Sequence, residues 1–114
     1  MENKIECLKE ILNYISQNTG YDKYVTFHSV VNNSSFDKDT VLNLIYESEE
    51  EGLFRNVEHM DGTPDTGRIY SLSPDGRKML ENLNATLKEK IIDMLPKNLN
   101  DAVSLVSTLK SILS

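Results

Sequence analysis

The sequence predicts a single domain of the α+β class, mainly α-helical, with helices on both sides of one β-hairpin. Apolar residues recur every three or four positions through most of the chain, which is the period of an amphipathic helix. This period is lost between Gly52 and Ser73, where short alternating runs flank a segment rich in turn-forming residues. The 114 residues, 39% of them apolar and 26% charged, suit one hydrophobic core.

Two helices are predicted before a turn at residues 32–35. Residues 3–18 carry a stripe of aliphatic side chains, and Gly20 follows its last member. A short second helix is predicted over residues 26–32, with Thr26 as its N-cap. The asparagine and serine side chains of residues 32–35 compete with the backbone for hydrogen bonds, so they favour a turn over a helix.

A third helix and a hairpin follow this turn. The helix is predicted over about residues 37–51, capped by Ser35 or Asp37 and ended by Gly52. Its inner stripe is predicted to consist of Val41, Leu44 and Ile45, with Ser48 as a further candidate. Strands are predicted over residues 53–60 and 68–73, on either side of a long turn, so they form a two-stranded hairpin with a long tip.

The remainder is predicted to be a helical tail. Ser73 and Pro74 start a fourth helix, because serine caps a helix and proline lacks only an N–H that the first turn does not use. The apolar positions of this helix are Leu80, Leu83, Leu87, Ile91 and Met94. Pro96 interrupts it, and a last helix is predicted over about residues 99–113.

Two segments carry a resemblance to a known family. They are TVLNLIYESEEEGL, residues 40–53, and YSLSPDGRKML, residues 70–80. The first resembles the recognition helix of winged helix-turn-helix regulators, and the second resembles the exit from their wing. The chain most resembles the MarR-type regulators, and PadR-type regulators come second. MarR-type proteins usually carry a further N-terminal helix, which is expected to be missing here.

The resemblance implies a DNA-binding transcriptional regulator that acts as a homodimer. Residues 1–78 would form the winged-helix part and residues 79–114 a helical dimerisation region of the same single domain. The recognition helix would be residues 37–51 and the wing residues 53–73. The dimer contact would involve Leu87, Ile91, Leu105, Leu109 and Ile112. These apolar side chains could instead be ordinary core, but two successive apolar helix faces exceed what so small a head covers.

Four residues are predicted to contact duplex DNA. Asn43 can form a bidentate pair with adenine in the major groove. Lys38 and Thr40 would hold phosphates. Arg68 would reach the minor groove or pair with Asp65 inside the wing. Each could also be an ordinary solvated surface residue.

The distribution of charge opposes non-specific DNA binding. The formal charge is −6, and residues 36–73, with three bases and nine acids, account for all of it. Duplex DNA carries about one charge per 1.7 Å of axis, so an acidic head binds random sequence poorly. Glu47, Glu49, Glu50 and Glu51 lie beyond the part of the helix that contacts DNA in this motif. The alternative is an acidic winged-helix module that docks another protein without binding DNA.

Other classes of function lack a motif. No signal peptide or membrane span is expected, and the single cysteine, Cys7, agrees with the reducing cytoplasm and with burial as a small apolar residue. His28, His59 and Cys7 do not have the spacing of metal ligands. No phosphate-binding loop or pair of nucleophile and base is present, so neither a cofactor nor an enzymatic activity is expected.

Overall fold

The computed structural model describes residues 2–60, 66–85, 88–95 and 104–113. The described part is mostly helical with one small antiparallel sheet, as the predicted α+β class requires. In chain order the elements are α1 (Glu2–Asn18), β1 (Val25–Thr26), α2 (Phe27–Asn32), α3 (Lys38–Glu50), β2 (Phe54–His59), β3 (Gly67–Leu72), α4 (Pro74–Ala85), α5 (Lys88–Met94) and α6 (Leu105–Leu113). No helix in these ranges is long and apolar enough to cross a membrane.

The sheet has three strands in the order β1-β3-β2, one more than the two strands of the predicted hairpin. Strands β2 and β3 form the predicted hairpin, with their ends within one residue of the predicted ones. The third strand, β1, pairs Val25 with Ile69 and Thr26 with Arg68. A two-residue strand shows no alternation in the sequence, and its pairing partners lie more than 40 positions away.

Capping side chains set the boundaries of the short helices. Thr26 and Ser29 form a reciprocal capping box at the start of α2. Asp37 accepts the backbone N–H of Thr40 at 3.1 Å and caps α3. Gly52 follows the end of α3 with a φ of 78°, a backbone conformation that glycine adopts without strain.

The turn between α2 and α3 is fixed by a carboxylate of α1. Glu10 accepts hydrogen bonds from the hydroxyls of Ser34 at 2.6 Å and Ser35 at 3.0 Å, and from the Ser35 backbone N–H at 3.0 Å. Burial alone would raise the pKa of Glu10, but these hydrogen bonds outweigh burial and lower the pKa below its usual value. The ionised carboxylate therefore holds the entry to α3 in place.

One hydrophobic core joins the first three helices and the sheet to α4 and α6. α1 packs against α3, α4 and the sheet, and α6 packs against α3 and α4. At the start of α4, Ser73 accepts the backbone N–H of Gly76 at 3.0 Å and confirms the predicted cap. Gly76 sits so close to the hairpin that a Cβ atom there would lie 2.0 Å from the Leu53 carbonyl oxygen.

The last helix begins later than predicted. Ser104 is not helical, and α6 starts at Leu105, so a continuous helix from residue 99 to residue 113 is wrong. The Ser104 hydroxyl accepts the backbone N–H of Ser107 at 3.1 Å and caps α6. Ser104 precedes the apolar pair Leu105–Val106, which is a signal for a helix cap. The prediction missed this signal because apolar residues continue on both sides of the serine.

The residues predicted to join two subunits are placed mostly inside one chain. Ile91, Leu105 and Leu109 are at most 4% exposed, so they are core positions here and leave no surface for a second copy. Ile112 is half-buried and packs against the same core. Leu87 lies outside the described residues. Among the predicted residues that the structure describes, only Ile112 therefore keeps some surface for a second copy.

Candidate nucleic-acid interface

The first two turns of α3 carry three of the four residues predicted to contact DNA. Lys38 and Asn43 are exposed, and Thr40 is half-buried. The Thr40 hydroxyl donates to Asp37 Oδ1 at 2.8 Å, so its proton points into the helix cap and not toward a phosphate. Hydrogen bonds from the Thr40 hydroxyl and the Thr40 backbone N–H lower the pKa of Asp37. Thr40 is thus first of all part of the helix cap.

Asn43 lies on an exposed face whose charged residues are acidic. Asp39 lies one turn before it and Glu50 two turns after it, and both are exposed. The amide of Asn43 is the neutral group between them. This face can offer hydrogen bonds to a base edge, but it provides little electrostatic attraction to a phosphate backbone.

Arg68 lies on the outer face of the sheet, away from the core. It pairs across the strands with Glu58, and the Arg68 Nη1 atom lies 3.9 Å from Glu58 Oε1. Its guanidinium stands over the Tyr24 ring, 4.8 Å from the ring centroid. A hydrogen bond to Tyr70 is the main cause that raises the pKa of Arg68, and one to Glu58 is the main cause that raises the pKa of Tyr70.

These contacts hold Arg68 in a cluster of tyrosines and a carboxylate that the sequence did not predict. Asp65, its predicted partner, lies outside the described residues. The structure gives Arg68 a different acidic partner, Glu58, at the facing position of the neighbouring strand. That pairing depends on the register of the hairpin, which only the folded structure specifies.

A second unpredicted cluster joins the hairpin to α3. The His59 ring at the end of β2 stacks on the Tyr46 ring, with centroids 5.9 Å apart, and meets Phe27 edge-on at 5.8 Å. His59 Nε2 lies 2.7 Å from a carboxylate oxygen of Glu49. Gly67, opposite His59, leaves the space that the Phe27 ring fills. The sequence presented His59 only as a poor metal ligand.

Two of the four carboxylates in the acidic run at the end of α3 bind other groups of the protein. Glu49 binds His59, as described above. The Glu47 carboxylate accepts the hydroxyl of Ser104 and the backbone N–H of Val106, the latter at 2.6 Å. The Glu51 carbonyl accepts a hydrogen bond from Lys110 at 2.6 Å. The charge that opposes DNA binding in the sequence is therefore partly directed toward the protein itself.

Neither a metal centre nor a reactive thiol is built in the described ranges. No group of three or more His, Cys, Asp and Glu residues there could hold a metal ion. Cys7 is a free and fully buried thiol, which confirms the prediction of a small core residue. Burial, followed by the charges of Glu10 and Asp37, raises the pKa of Cys7 to about 12.

Comparisons of the chain with protein-family models, with curated proteins and with solved structures found no match. The functional interpretation therefore depends on the geometry of α3 and the hairpin.

Proposed function

We propose that this chain is a winged helix-turn-helix regulator of transcription that binds duplex DNA as a homodimer. In this proposal α3 is the recognition helix and the β2–β3 hairpin is the wing. The observation that carries it is the exposure of the first two turns of α3, directly after a short helix and a fixed turn, with Lys38 and Asn43 open to solvent. Contacts with bases in this motif come chiefly from that half of the helix.

The internal use of acidic side chains supports the proposal. Glu47 and Glu49 are bound to α6 and to His59, so they do not project freely toward a DNA backbone. Asp39 and Glu50 remain exposed, and these two predict weak non-specific binding. Affinity would then depend on base contacts of Asn43 and on the simultaneous use of two half-sites.

Arg68 would act after a local rearrangement of the wing. Its guanidinium is shared among Glu58, Tyr24 and Tyr70, and a DNA phosphate would compete with Glu58 for it. The strands would keep the arginine at one position on the outer face of the hairpin. Removal of the Glu58 carboxylate should therefore strengthen DNA binding if Arg68 contacts DNA.

The homodimer would place two recognition helices about 34 Å apart on a palindromic site. We place the contact between copies on the outer side of the tail, where Met94 and Ile112 line one groove with Ser107, Thr108 and Ser111. Met94 is 44% exposed, so its side chain is accessible to a second copy. Leu105 and Leu109 are core residues of α6, and their packing would hold the groove residues of the same helix in position.

Selection of duplex DNA from a randomised pool at low salt tests the proposal. We expect a palindromic sequence to be enriched. Asn43→Ala should then weaken binding to that sequence about tenfold, the size of one bidentate base contact. Asn84→Ala, an exposed asparagine of α4, is the matched control and should leave binding unchanged. Enrichment of no sequence, even at low salt, would contradict the proposal.

The second candidate is an acidic winged-helix module that docks a protein. The exposure of Asp39 and Glu50 on either side of Asn43 favours it, because a basic partner surface would match that face. Capture of partners from a nuclease-treated extract separates the two candidates. A protein that stays bound and is lost with Asp39→Asn supports docking, whereas loss of all partners after nuclease treatment supports DNA binding.

A further inference from the structure

Both ends of α6 are held by side chains of other helices. At its start, the Glu47 carboxylate of α3 accepts the Ser104 hydroxyl and the Val106 backbone N–H. A carboxylate at a helix N-terminus satisfies an unpaired N–H and interacts favourably with the helix dipole. At its end, the Asn82 side chain of α4 donates to the Leu113 carbonyl at 2.9 Å. The position of α6 is therefore specified by polar contacts as well as by packing.

A third polar contact ties the last turn of α6 to the end of α3. Lys110 donates to the Glu51 carbonyl, the C-cap residue of α3, and lies 3.5 Å from the Asp75 carboxylate of α4. A lysine near the carbonyl end of a helix is favourable for the same electrostatic reason as a carboxylate near its start. Glu47 and Lys110 thus bind α3 and α6 to each other over one turn of each helix.

The face of α6 between these contacts is apolar and covered. Leu105, Val106 and Leu109 are at most 4% exposed, and α6 packs against both α3 and α4. The C-terminal half of α3 consequently has the tail along one flank, while its first two turns stay open. A helix that reads bases has to be held within about 0.5 Å of its working position by its neighbours.

We propose that α6 holds α3 in the orientation that reads DNA, and that Glu47 is the positioning residue of this contact. The inference rests on the proposed function. The effect of Glu47 on DNA binding would then be opposite to the effect expected from its negative charge alone. As a free negative charge, Glu47 would weaken DNA binding and its removal would help. As the cap of α6, it supports the reading helix, and its removal would harm sequence-specific binding.

The test compares Glu47→Ala with Glu50→Ala, which removes the same charge from an exposed position of the same helix. Affinity is measured for the selected DNA sequence and for random duplex DNA. We expect Glu47→Ala to lower specific affinity about tenfold, the effect of losing one strong helix cap, and to leave random binding equal or stronger. Glu50→Ala should strengthen both. Equal behaviour of the two variants would overturn the positioning role.

Amide hydrogen exchange without DNA separates this inference from the proposed function. Glu47→Ala should accelerate exchange in α6 and in the last turn of α3, whereas Glu50→Ala should not. Unchanged exchange in both variants would overturn the contact itself. If the natural chain bound no DNA while exchange in α6 still accelerated, the proposed function and the positioning role would fail together, and only the α3–α6 contact would stand.

A milder variant guards against loss of the fold. Glu47→Gln keeps one acceptor oxygen for the Val106 N–H, so it should retain more specific affinity than Glu47→Ala. Ser104→Ala removes the hydroxyl that donates to Glu47 and also the cap of the Ser107 N–H, so it should lower specific affinity at least as much as Glu47→Ala. A variant that merely unfolds would lose specific and random binding in parallel, and this outcome for both variants would overturn the positioning role.

Discussion

Ser48 places a hydroxyl group in the hydrophobic core beneath α3. Its side chain is fully buried, and within the described part of the chain its Oγ atom has no hydrogen-bond partner. A buried hydroxyl without a partner costs free energy, because it has lost its bonds to water. The position follows the apolar stripe of Val41, Leu44 and Ile45, so the helix directs the serine inward.

Replacement of this serine by alanine should therefore stabilise the protein. We expect Ser48→Ala to raise the free energy of unfolding by about 1–2 kcal/mol, from relief of the unpaired hydroxyl and a small gain in helix propensity. Urea titration measures the change. Ser16→Ala, at an exposed position of α1, reports the propensity gain alone. A destabilised Ser48→Ala would show that the hydroxyl is bonded in solution.

The only cysteine of the sequence can be used to measure how often the hydrophobic core opens to solvent. Cys7 is fully buried, and burial together with Glu10 and Asp37 raises its pKa to about 12. At pH 8 its thiolate fraction would be on the order of 10⁻⁴, so a thiol reagent should react only when the core opens. We expect no fast phase with Ellman's reagent in the native protein and a full equivalent in urea. Rapid native labelling would contradict the packing around α1.

The contact between α4 and the hairpin depends on one missing side chain. In an exposed helix, alanine in place of glycine stabilises by about 1 kcal/mol. At Gly76 the added Cβ would lie 2.0 Å from the Leu53 carbonyl oxygen, so helix and hairpin would have to separate. We expect Gly76→Ala to destabilise by about 3 kcal/mol. Gly20→Ala, with nothing within 4 Å, is the control for thermal unfolding. A stable Gly76→Ala would contradict this close packing.

The turn between α2 and α3 should make stability depend on acid. Glu10 has a folded-state pKa below the ordinary value of 4.5, because the hydrogen bonds from Ser34 and Ser35 outweigh burial. A lowered carboxyl pKa contributes stability that is fully present above the unfolded value and lost as the pH falls through the folded one. The contribution of Glu10 should therefore fade as the pH drops below 4.5.

Glu10→Gln tests this contribution. At pH 7 we expect a loss of about 1–2 kcal/mol in unfolding free energy, since an amide cannot replace all the hydrogen bonds of a carboxylate. Below pH 4.5 the variant and the natural protein should converge. Glu81→Gln, on the exposed side of α4, should follow the natural protein throughout. A difference between Glu10→Gln and the natural protein that is independent of pH would contradict the ionised carboxylate.

The sequence predicted features that depend on neighbouring residues better than features that depend on contacts between residues far apart in the chain. Thr26, Asp37, Gly52 and Ser73 cap or end elements by contacts within a few residues, and the boundaries they predict agree with the structure. Strand β1 was missed because it exists only through pairing with β3. Local chemistry thus predicted these four boundaries, but neither strand β1 nor the start of α6.

The candidate site was predictable to a smaller extent. Asn43 is exposed as predicted, because it lies opposite the apolar stripe of α3. The partners of Glu47 and Arg68 were not predictable, since Ser104 lies 57 residues from Glu47 and Glu58 faces Arg68 only through the hairpin register. The same limit applies to the tail, whose apolar stripe fits a subunit contact and an internal core equally well.

The tail offers a direct way to separate these two roles. Leu109 is fully buried in one chain, so Leu109→Ala should cost about 2–5 kcal/mol of unfolding free energy whether or not the protein dimerises. Met94 and Ser111 are exposed residues of the outer groove, where Met94→Glu and Ser111→Glu should leave the core intact and abolish the proposed dimer. Sedimentation across concentrations gives the mass, and unfolding of a dimer shifts to higher temperature as the concentration rises.

Two results would decide between the roles. A natural chain that sediments as a dimer, with both glutamate variants monomeric and still folded, would support the contact on the outer side of the tail. A natural chain that remains monomeric at every concentration, with melting independent of concentration, would contradict the homodimer. The tail would then serve the single chain alone, and two half-sites would have to be read by chains that assemble only on DNA.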